Sequence, residues 1–586
     1  VRKILCYDIE SKVLNNKISG NTDVFRTISM YEVEQDKYHF YTYTQIQAIQ
    51  TLFNKHRVII GHNVKNYDNP VLIRAGINLQ YHLILDTYEI AKKRAFLLKI
   101  EDEKKSLSNL AKVFKLKHHK DDDFNYDILK KDEWTPEEIE YIKKYNENDI
   151  KVTYELFKYM SDIFEPYKSF LKEADIKNFS WLKNAVSVYA YKVICNFAGI
   201  KEEYDDNAVH KRYSGGFVSE PEVNEAEGII YCMDYASLYI HINIMCNLYS
   251  PIKYNGWTGD EFFKVYGEFN KEKQGKIEVA AQTMYNTRKE LKKVGDPREQ
   301  ALKSVLVILY GITGNPVFKN IYNYDGARTC TSIAQKCIKY AREIFEEYGY
   351  KFLYTDTDSV YIKDPYNNKK RVLTVKKLII DEIKRHVPFP ADTFDMDIDY
   401  EIKHIWFFNN GDKVLKKCYM FVTNNDELII KGLPMIKGDS SKIGYIIFNK
   451  YMREQVIKGD IMFKYDDVKA WVQEELNKDP SIVTRTFKVM KKEAYKIMSQ
   501  LQSQISTKYG AGKHLLIPNH KFGVGKGKRY CTLQEYKDND LVIEDIDLSK
   551  MWSELKHFTN IPVTIKVKTQ RMIKKNQKTL FEWGGI

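Results

Sequence analysis

Apolar and polar positions follow two different periods along this chain, and the places where one period gives way to the other mark its organisation. Through roughly the first 160 residues, β-rich segments such as Ile4 to Ile9 and Val58 to Gly61 alternate with helical ones, which is α/β patterning. A helix is predicted after Thr135-Pro136, because a proline at the first helical position loses no hydrogen bond. The stretch from Glu165 to Ala198 reads as helical, and Val223 to Tyr239 reads as a buried strand running into a short helix that opens a second unit. Residues 276–345 read as a basic helical pair broken at Gly295-Asp296-Pro297, a turn that sends two helices back antiparallel. Lys303 is expected to open the second of them. Residues 350–363 read as a hairpin, and the chain beyond about 445 as a mixed, basic C-terminal domain. There is no low-complexity linker and no repeat period.

With 586 residues and 44% apolar content the chain can bury two or more cores. Its formal charge of +13 is superimposed on 79 acidic residues, a balance that fits a polyanionic partner and leaves many carboxylates free for chemistry. The eight cysteines (Cys6, Cys195, Cys232, Cys246, Cys330, Cys337, Cys418, Cys531) form no CxxC pair. A zinc site and a disulfide framework are therefore not expected, and reduced intracellular thiols are. No signal peptide opens the chain, and apolar runs such as Val305 to Tyr310 fall short of the roughly 20 residues that span a bilayer. A soluble, intracellular protein without a membrane partner is expected. The sequence starts at Val1 rather than methionine, which leaves room for an upstream extension.

Two ordered sets of acids change the picture. Phosphoryl transfer at neutral pH uses paired divalent cations roughly 3.5–4 Å apart, and hard cations are held by carboxylates on rigid elements. Asp8 and Glu10 stand two apart, on one face of a strand. Asn63-Val-Lys-Asn-Tyr67-Asp68 and Tyr145-Asn-Glu-Asn-Asp149 follow. Further on, Met233-Asp234-Tyr-Ala-Ser237-Leu238-Tyr239 puts a carboxylate where a strand turns into a helix, and Tyr354-Thr-Asp356-Thr-Asp358-Ser359 puts two at a tight turn. Between these last two, Arg288 and Lys292 share a helix face, and Lys303 is followed two turns later by Tyr310-Gly311. Such a face can hold a triphosphate, whose negative charges require cations aimed at them.

Together and in this order the first set resembles the three exonuclease motifs of proofreading polymerases, and Asp149-Ile-Lys-Val-Thr-Tyr-Glu-Leu156 resembles the third motif and its continuation. The second set resembles motifs A and C of the family B DNA polymerases, with the helical pair as the fingers and motif B. The resemblance covers nearly the whole chain and is weakest in the C-terminal thumb. It implies an RNase H-like exonuclease domain followed by a right-hand palm, fingers and thumb, α/β and α+β in class, in a compact member of viral or phage type with the host cytoplasm as its location. It implies primer-template DNA and dNTPs as partners, and Mg²⁺, with Mn²⁺ as the alternative, as two ions per active site. Asp8, Glu10, Asp68 and Asp149 would bind the exonuclease metals, Tyr145 would orient the attacking water, and Asn63 would contact the single-stranded 3′ end. Asp234 and Asp358 would be bidentate ligands of the polymerase metals, supported by Asp356. Ser237, Leu238, Tyr239, Arg288, Lys292, Lys303 and Tyr310 would bind the nucleotide, with the Tyr239 ring under the sugar to exclude a 2′-hydroxyl.

Smaller signals agree. Tyr213-Ser-Gly215-Gly216 resembles the YxGG motif, where glycines allow close approach to a DNA strand. Lys416-Lys417-Cys-Tyr419 resembles the KxY motif at the primer end, and Gly432 to Ser440 continues the palm pattern. The terminal Gln577, Leu580 and Trp583, spaced 0, 3, 6, resemble a sliding-clamp-binding peptide, following a basic stretch from Val563 to Asn576. His118-His119 and the loop Gly510 to Gly527 read as surface features. The chain departs from the family at motif B, with Val307 and Ile308 where Asn and Ser are usual, and at motif A, which ends in Ile240 instead of proline.

The boundaries expected are 1–165 exonuclease, 166–212 helical connector, 213–275 and 346–444 the two parts of the palm, 276–345 fingers, and 445–586 thumb and tail with the clamp peptide at 577–583. The intervals from Asp234 to Lys303 and from Gly311 to Asp356 have no room for the two palm insertions of protein-primed phage relatives. A nucleic-acid primer is therefore expected over the protein-primed alternative. A 3′→5′ exonuclease whose polymerase half only binds DNA is the other reading, drawn from Val307 and Ile308.

Overall fold

The structure is a computed structural model that describes residues 3–13, 19–100, 103–121, 124–131, 133–249, 256–410, 413–433, 441–489, 501–510, 512–525 and 528–559. The expected clamp peptide with Gln577, Leu580 and Trp583, the basic stretch before it and residues 434–440 lie outside the described residues. The chain folds into two units. One comprises Val1–Gly215, Ser237–Ala334 and Ile383–Phe394, the other Gly216–Ala236, Gln335–Glu382 and Asp395–Ile586.

The first unit is built on a five-stranded sheet of β1 (Ile4–Lys12), β2 (Val24–Glu32), β3 (Lys37–Thr42), β4 (Val58–Gly61) and β5 (Leu83–Asp86), in the order β3-β2-β1-β4-β5. β1 pairs antiparallel with β2 and parallel with β4. Its central strands are apolar on both faces because both faces are covered. Cys6, Val58, Ile60 and Leu85 enter one core, and Leu5, Tyr7, Ile9 and Ile59 enter another. The helix Pro136–Phe164 starts where the sequence predicts. Thr135 and Glu138 form a reciprocal capping box, with Pro136 in the first turn. It buries Ile142, Tyr145, Asn146, Asp149, Val152, Leu156 and Met160 among others, at the three-to-four spacing of one helix face.

The same unit carries the short ribbon β7 (Trp257–Gly259) with β8 (Lys264–Phe269) and a helical hairpin, Lys276–Lys293 and Arg298–Thr313. The second helix opens at Arg298, five residues before Lys303, because the Asp296 carboxylate accepts the Arg298 N–H at 2.9 Å and restarts the chain. A third helix, Tyr324–Glu347, follows, so residues 276–345 hold more than a helical pair.

The second unit is built on a six-stranded antiparallel sheet in the order β13-β12-β11-β6-β10-β9. Its strands are β6 (Glu225–Tyr235), β9 (Lys351–Asp356), β10 (Ser359–Lys363), β11 (Met396–Asn410), β12 (Lys413–Thr423) and β13 (Leu428–Lys431). A smaller sheet joins β14 (Arg485–Val489), β15 (Gly512–Asn519) and β16 (Arg529–Cys531). The stretch Gly510 to Gly527 is thus no surface loop. Leu516 and Ile517 are fully buried, and β14 and β16 pair with β15 on its two sides. All eight cysteines are buried and no disulfide joins them, and no described helix is long and apolar enough to cross a membrane.

Candidate active sites

In the first unit, one carboxylate oxygen from each of Asp8, Glu10 and Asp149 lies within 4.8 Å of the others. Asp8 and Glu10 project from β1 on the face that carries Cys6, since side chains two apart share a face. Asp149 comes from the helix Pro136–Phe164. Asp68 is outside this triad. It opens the helix Asp68–Arg74 and accepts the Ile9 N–H at 3.4 Å. Burial pushes Glu10 up to about 8 and Asp68 up to about 7. Asp8 is driven well above the usual carboxylate range by burial and by the charges of Asp68, Asp149 and Glu10. Three acids held this close, Glu10 and Asp149 buried and Asp8 partly so, are unfavourable unless a cation sits among them. The Oδ1 of Asp149 is buried and has no hydrogen-bond partner among the described residues. The donor set, hard carboxylate oxygens with one left over, fits a divalent ion of the Mg²⁺ type.

Tyr145 stands one turn before Asp149. Its ring stacks on Phe124 at 3.8 Å, and its hydroxyl meets that of Tyr126 at 2.7 Å. Asn63 has a left-handed backbone (φ 61°), held because the buried carboxylate of Asp86 accepts the N–H groups of Asn63 at 2.8 Å and Lys65 at 3.0 Å. Asp86 was not legible as a site residue, and neither was Lys120, which forms an ion pair with Asp149. Burial works against the Lys120 charge, but Asp149 and Asp8 outweigh it and hold the ammonium above its ordinary value. The segment bearing Lys120 is latched to the long helix. Glu155 accepts the N–H groups of Lys117 and His118 at 2.7 and 3.0 Å and meets the His118 ring at 3.0 Å, while Asn148 donates to the His119 carbonyl at 2.9 Å. His118 is therefore a structural contact of Glu155, not a bare surface residue.

The expected nucleotide-binding residues are also in this unit. Ser237 has φ 56° and precedes the helix Leu238–Cys246. Leu238 is buried, which leaves its backbone for any contact. The rings of Tyr239 and Tyr310 lie 4.7 Å apart at 33°. The Tyr213 hydroxyl hydrogen-bonds to Tyr310, and a Cβ on Gly314 would collide with that hydroxyl. Only glycine admits the ring there. A Cβ on Gly215 would meet nothing within 4 Å. Lys303 is exposed, and Val307, four residues on, is 68% exposed. Ile308 packs against the core. Arg288 is committed across the helical hairpin to Glu299 at 3.1 Å, while Lys292 is exposed.

In the second unit, Asp234, next to last in β6, stands opposite Ser359 on β10 and Asp397 on β11. Asp356 and Ser359 flank the two-residue turn Thr357-Asp358, in which Thr357 takes φ 71°. Burial and the charges of Asp358, Asp399 and Asp397 push Asp234 up to about 7. Burial, then Asp356, raises Asp358. Asp356 is differently engaged. One oxygen takes the Lys417 ammonium, which also donates to the Thr357 hydroxyl at 2.9 Å, and the other accepts from the Tyr419 hydroxyl at 2.9 Å. Asp397 and Asp399, facing Asp234 and Asp358 electrostatically, are additions to the set; the alternation Asp395-x-Asp397-x-Asp399 was the signal.

Comparison with known proteins adds to this geometry. The model of DNA polymerase family B matches residues 276–519. The DNA polymerase of Thermococcus gorgonarius is 26% identical over 373 residues, covering 59% of this chain and 46% of the relative. That of Pyrococcus glycovorans is 26% identical over 332 residues (52% and 41%), and that of Archaeoglobus fulgidus 29% over 242 residues (39% and 29%). The matches thus cover less than half the length of these relatives. Among solved structures, the family B DNA polymerase from Pyrobaculum calidifontis has the same fold, with a TM-score of 0.52 at 15% identity, covering 96% of this chain and 78% of that one. Over residues 276–519 the chain is thus similar to DNA polymerase family B, and its fold is that of a solved structure from that family.

Proposed function

We propose that the chain is a template-directed DNA polymerase that extends a nucleic-acid primer and edits it with its own 3′→5′ exonuclease. The observation that carries this reading is that each unit holds its own carboxylate cluster, Asp8, Glu10 and Asp149 in one and Asp234 with Asp358 in the other. Bound Mg²⁺, or Mn²⁺ in its place, would supply an activated attacking oxygen and a stabilised leaving oxygen in both reactions. Asp8, Glu10 and Asp149, with Asp68, hold the ions for hydrolysis. Tyr145 holds the attacking water, and Asn63 steadies the frayed 3′ end. Asp234 and Asp358 hold the ions for synthesis. Lys417 and Tyr419 lock Asp356 and contact the primer terminus, while Tyr213, Gly215 and Gly216 line the path of a strand. The expected domain boundaries stand as part of this proposal. Primer extension on matched and mismatched 3′ ends, with and without dNTPs, tests it: the expected result is extension of matched ends and trimming of mismatched ones before extension. A chain that only trims would instead favour an exonuclease with a degenerate polymerase half, the reading suggested by Val307.

Two predictions address the nucleotide. The Tyr239 ring is braced by Tyr310, so it is rigid enough to exclude a 2′-hydroxyl. Tyr239→Val is expected to raise the ribonucleotide to deoxyribonucleotide ratio of kcat/KM, and an unchanged ratio removes the role. Because Arg288 is spent on Glu299 and Val307 offers no polar contact, the triphosphate depends on Lys303 and Lys292. Lys303→Ala is expected to cost roughly 10–100-fold in kcat/KM for dNTP, as charge-assisted contacts do. Val307→Asn, on an open surface, is expected to be neutral or to lower KM; a large loss of activity would show that the site is packed around valine.

A sliding clamp is proposed as a further partner on Gln577, Leu580 and Trp583. Deleting residues 577–586 is expected to leave short primer extension intact and to remove stimulation by the cognate clamp. Loss of basal activity would assign the tail to the fold instead.

A further inference from the structure

Every residue of the helix Leu238–Cys246 except Tyr239 is buried, and those buried are apolar apart from His241 and Asn243. Both of these are fully buried. A polar group in such surroundings costs free energy unless it is hydrogen-bonded, and an aliphatic side chain would fill either place. The two are used in the same way, each holding a carbonyl four residues back. Asn243 Nδ2 donates to the Tyr239 carbonyl at 2.6 Å, and His241 Nδ1 lies 3.3 Å from the Ser237 carbonyl. Ser237 has the greater need of an anchor, because its φ of 56° is a left-handed conformation that a Cβ makes unfavourable. Its carbonyl also closes the first turn of the helix, accepting the N–H groups of Ile240 and His241 at 3.1 and 3.2 Å.

The partners of His241 fix its tautomer and carry the network onward. A carbonyl only accepts, so Nδ1 bears the proton and Nε2 is the acceptor. Nε2 lies 3.0 Å from the Thr393 hydroxyl, which therefore donates to the ring and keeps its lone pairs for a donor on the other side. Gln282 supplies that donor: its Nε2 reaches the Thr393 hydroxyl at 3.2 Å and Asn286 Oδ1 at 3.0 Å. Gln282 and Asn286 lie one turn apart on the helix Lys276–Lys293. The His241 ring also packs edge-on against Tyr285 of that helix, 4.7 Å away at 75°, and lies 5.8 Å from Phe394. Donors and acceptors thus run in one direction, from the helix through Thr393 and His241 to the Ser237 carbonyl.

We infer that His241 is a positioning residue for the incoming nucleotide. With Thr393 and Gln282 it fixes the Ser237 carbonyl and holds the sugar-facing turn Ser237–Tyr239 in register with the helix Lys276–Lys293, which carries Lys292 for the triphosphate. This rests on the nucleotide-binding role proposed for Ser237, Tyr239 and Lys292, and adds to it the residues that set the spacing between sugar and phosphate contacts.

Steady-state single-nucleotide extension by the full chain is the test, with Thr393→Val as the main variant, since valine keeps the shape of threonine and removes the hydroxyl. Thr393→Val is expected to raise KM for dNTP roughly 5–10-fold, the scale of one lost buried hydrogen bond, with a smaller change in kcat, and to narrow the preference for deoxyribonucleotides over ribonucleotides. Thr393→Ser, which keeps the hydroxyl, is expected to retain both parent values. Adding Gln282→Leu to Thr393→Val is expected to cost no more than Thr393→Val by itself, because the link is already cut. His241→Leu is expected to have at least the effect of Thr393→Val; if it does not fold, the two Thr393 variants still decide. A merely structural network would lower the melting temperature of Thr393→Val and leave KM and the sugar preference unchanged, and that result overturns the inference. So does a Thr393→Ser variant that behaves like Thr393→Val, or a Gln282→Leu cost that adds in full. A parent chain that extends no primer overturns the polymerase reading and this inference with it; a parent that extends, with an unchanged KM in Thr393→Val, overturns the inference alone.

Discussion

Asp358→Ala is expected to abolish primer extension, by at least ~10³-fold in kcat, while leaving 3′→5′ degradation of single strands at the parent rate. The magnitude follows from the several kcal/mol that metal-held charge stabilisation contributes, at tenfold per roughly 1.4 kcal/mol. Asp358 is the sharper choice than Asp356. Both oxygens of Asp356 are taken by Lys417 and Tyr419, so its side chain is a fixed acceptor, whereas Asp358 shares its surroundings with Asp234 and Asp399. Asp234→Ala is expected to match Asp358→Ala. Asp356→Asn, which keeps an acceptor for Tyr419 but weakens the hold on Lys417, is expected to cost less than either. Equal, small losses at Asp234 and Asp358 in a steady-state extension assay would remove the metal role assigned to them.

The second large effect belongs to the other cluster. Asp8→Ala with Glu10→Ala is expected to remove 3′→5′ degradation by at least about 10³-fold and to leave extension intact. A double variant that still degraded single strands at the parent rate would sink the exonuclease assignment. The single variant Glu10→Gln carries a separate, physical readout. Its carboxyl is raised by burial from 4.5 to about 8 in the folded protein, so the folded state binds the proton more tightly than the unfolded one. Its favourable contribution is present below pH 4.5 and is lost as pH rises through about 8. Without metal, the parent is therefore expected to lose thermal stability across that window, and Glu10→Gln to lose less. Adding Mg²⁺ is expected to raise the melting temperature of the parent more than that of the variant.

Some of this was readable before any coordinates. The two-residue spacing of Asp8 and Glu10, the Thr135-Pro136 helix start and the hairpin around Asp356-Thr-Asp358 are local patterns, set by neighbours in sequence. Asp397 and Asp399 were missed for the opposite reason. Acids at alternate strand positions look like a solvated edge, and only the pairing of β11 with β6 puts Asp397 across from Asp234. Lys120 sits in a run of charges that reads as surface, and its partner Asp149 is supplied by a helix further along the chain. The Gly510 to Gly527 stretch misled because its glycines outweighed the short apolar run Leu515 to Ile517, in which the burial of Leu516 and Ile517 depends on two partner strands. Arg288 was placed on the right helix but not with its partner, since Glu299 reaches it only after the hairpin closes.

The eight buried, unbridged thiols have a practical consequence for spectroscopy. A folded molecule offers thiol-reactive dyes almost nothing native to attack, because the reactive thiolate is both shielded and disfavoured inside an apolar core; burial raises Cys195 and Cys531 to about 11. A single cysteine placed at Val294, 77% exposed at the turn between the two helices of the hairpin, therefore gives one fluorophore per chain without deleting any native residue of the core. The native eight then serve as an internal gauge: any dye they take up counts the molecules that have opened.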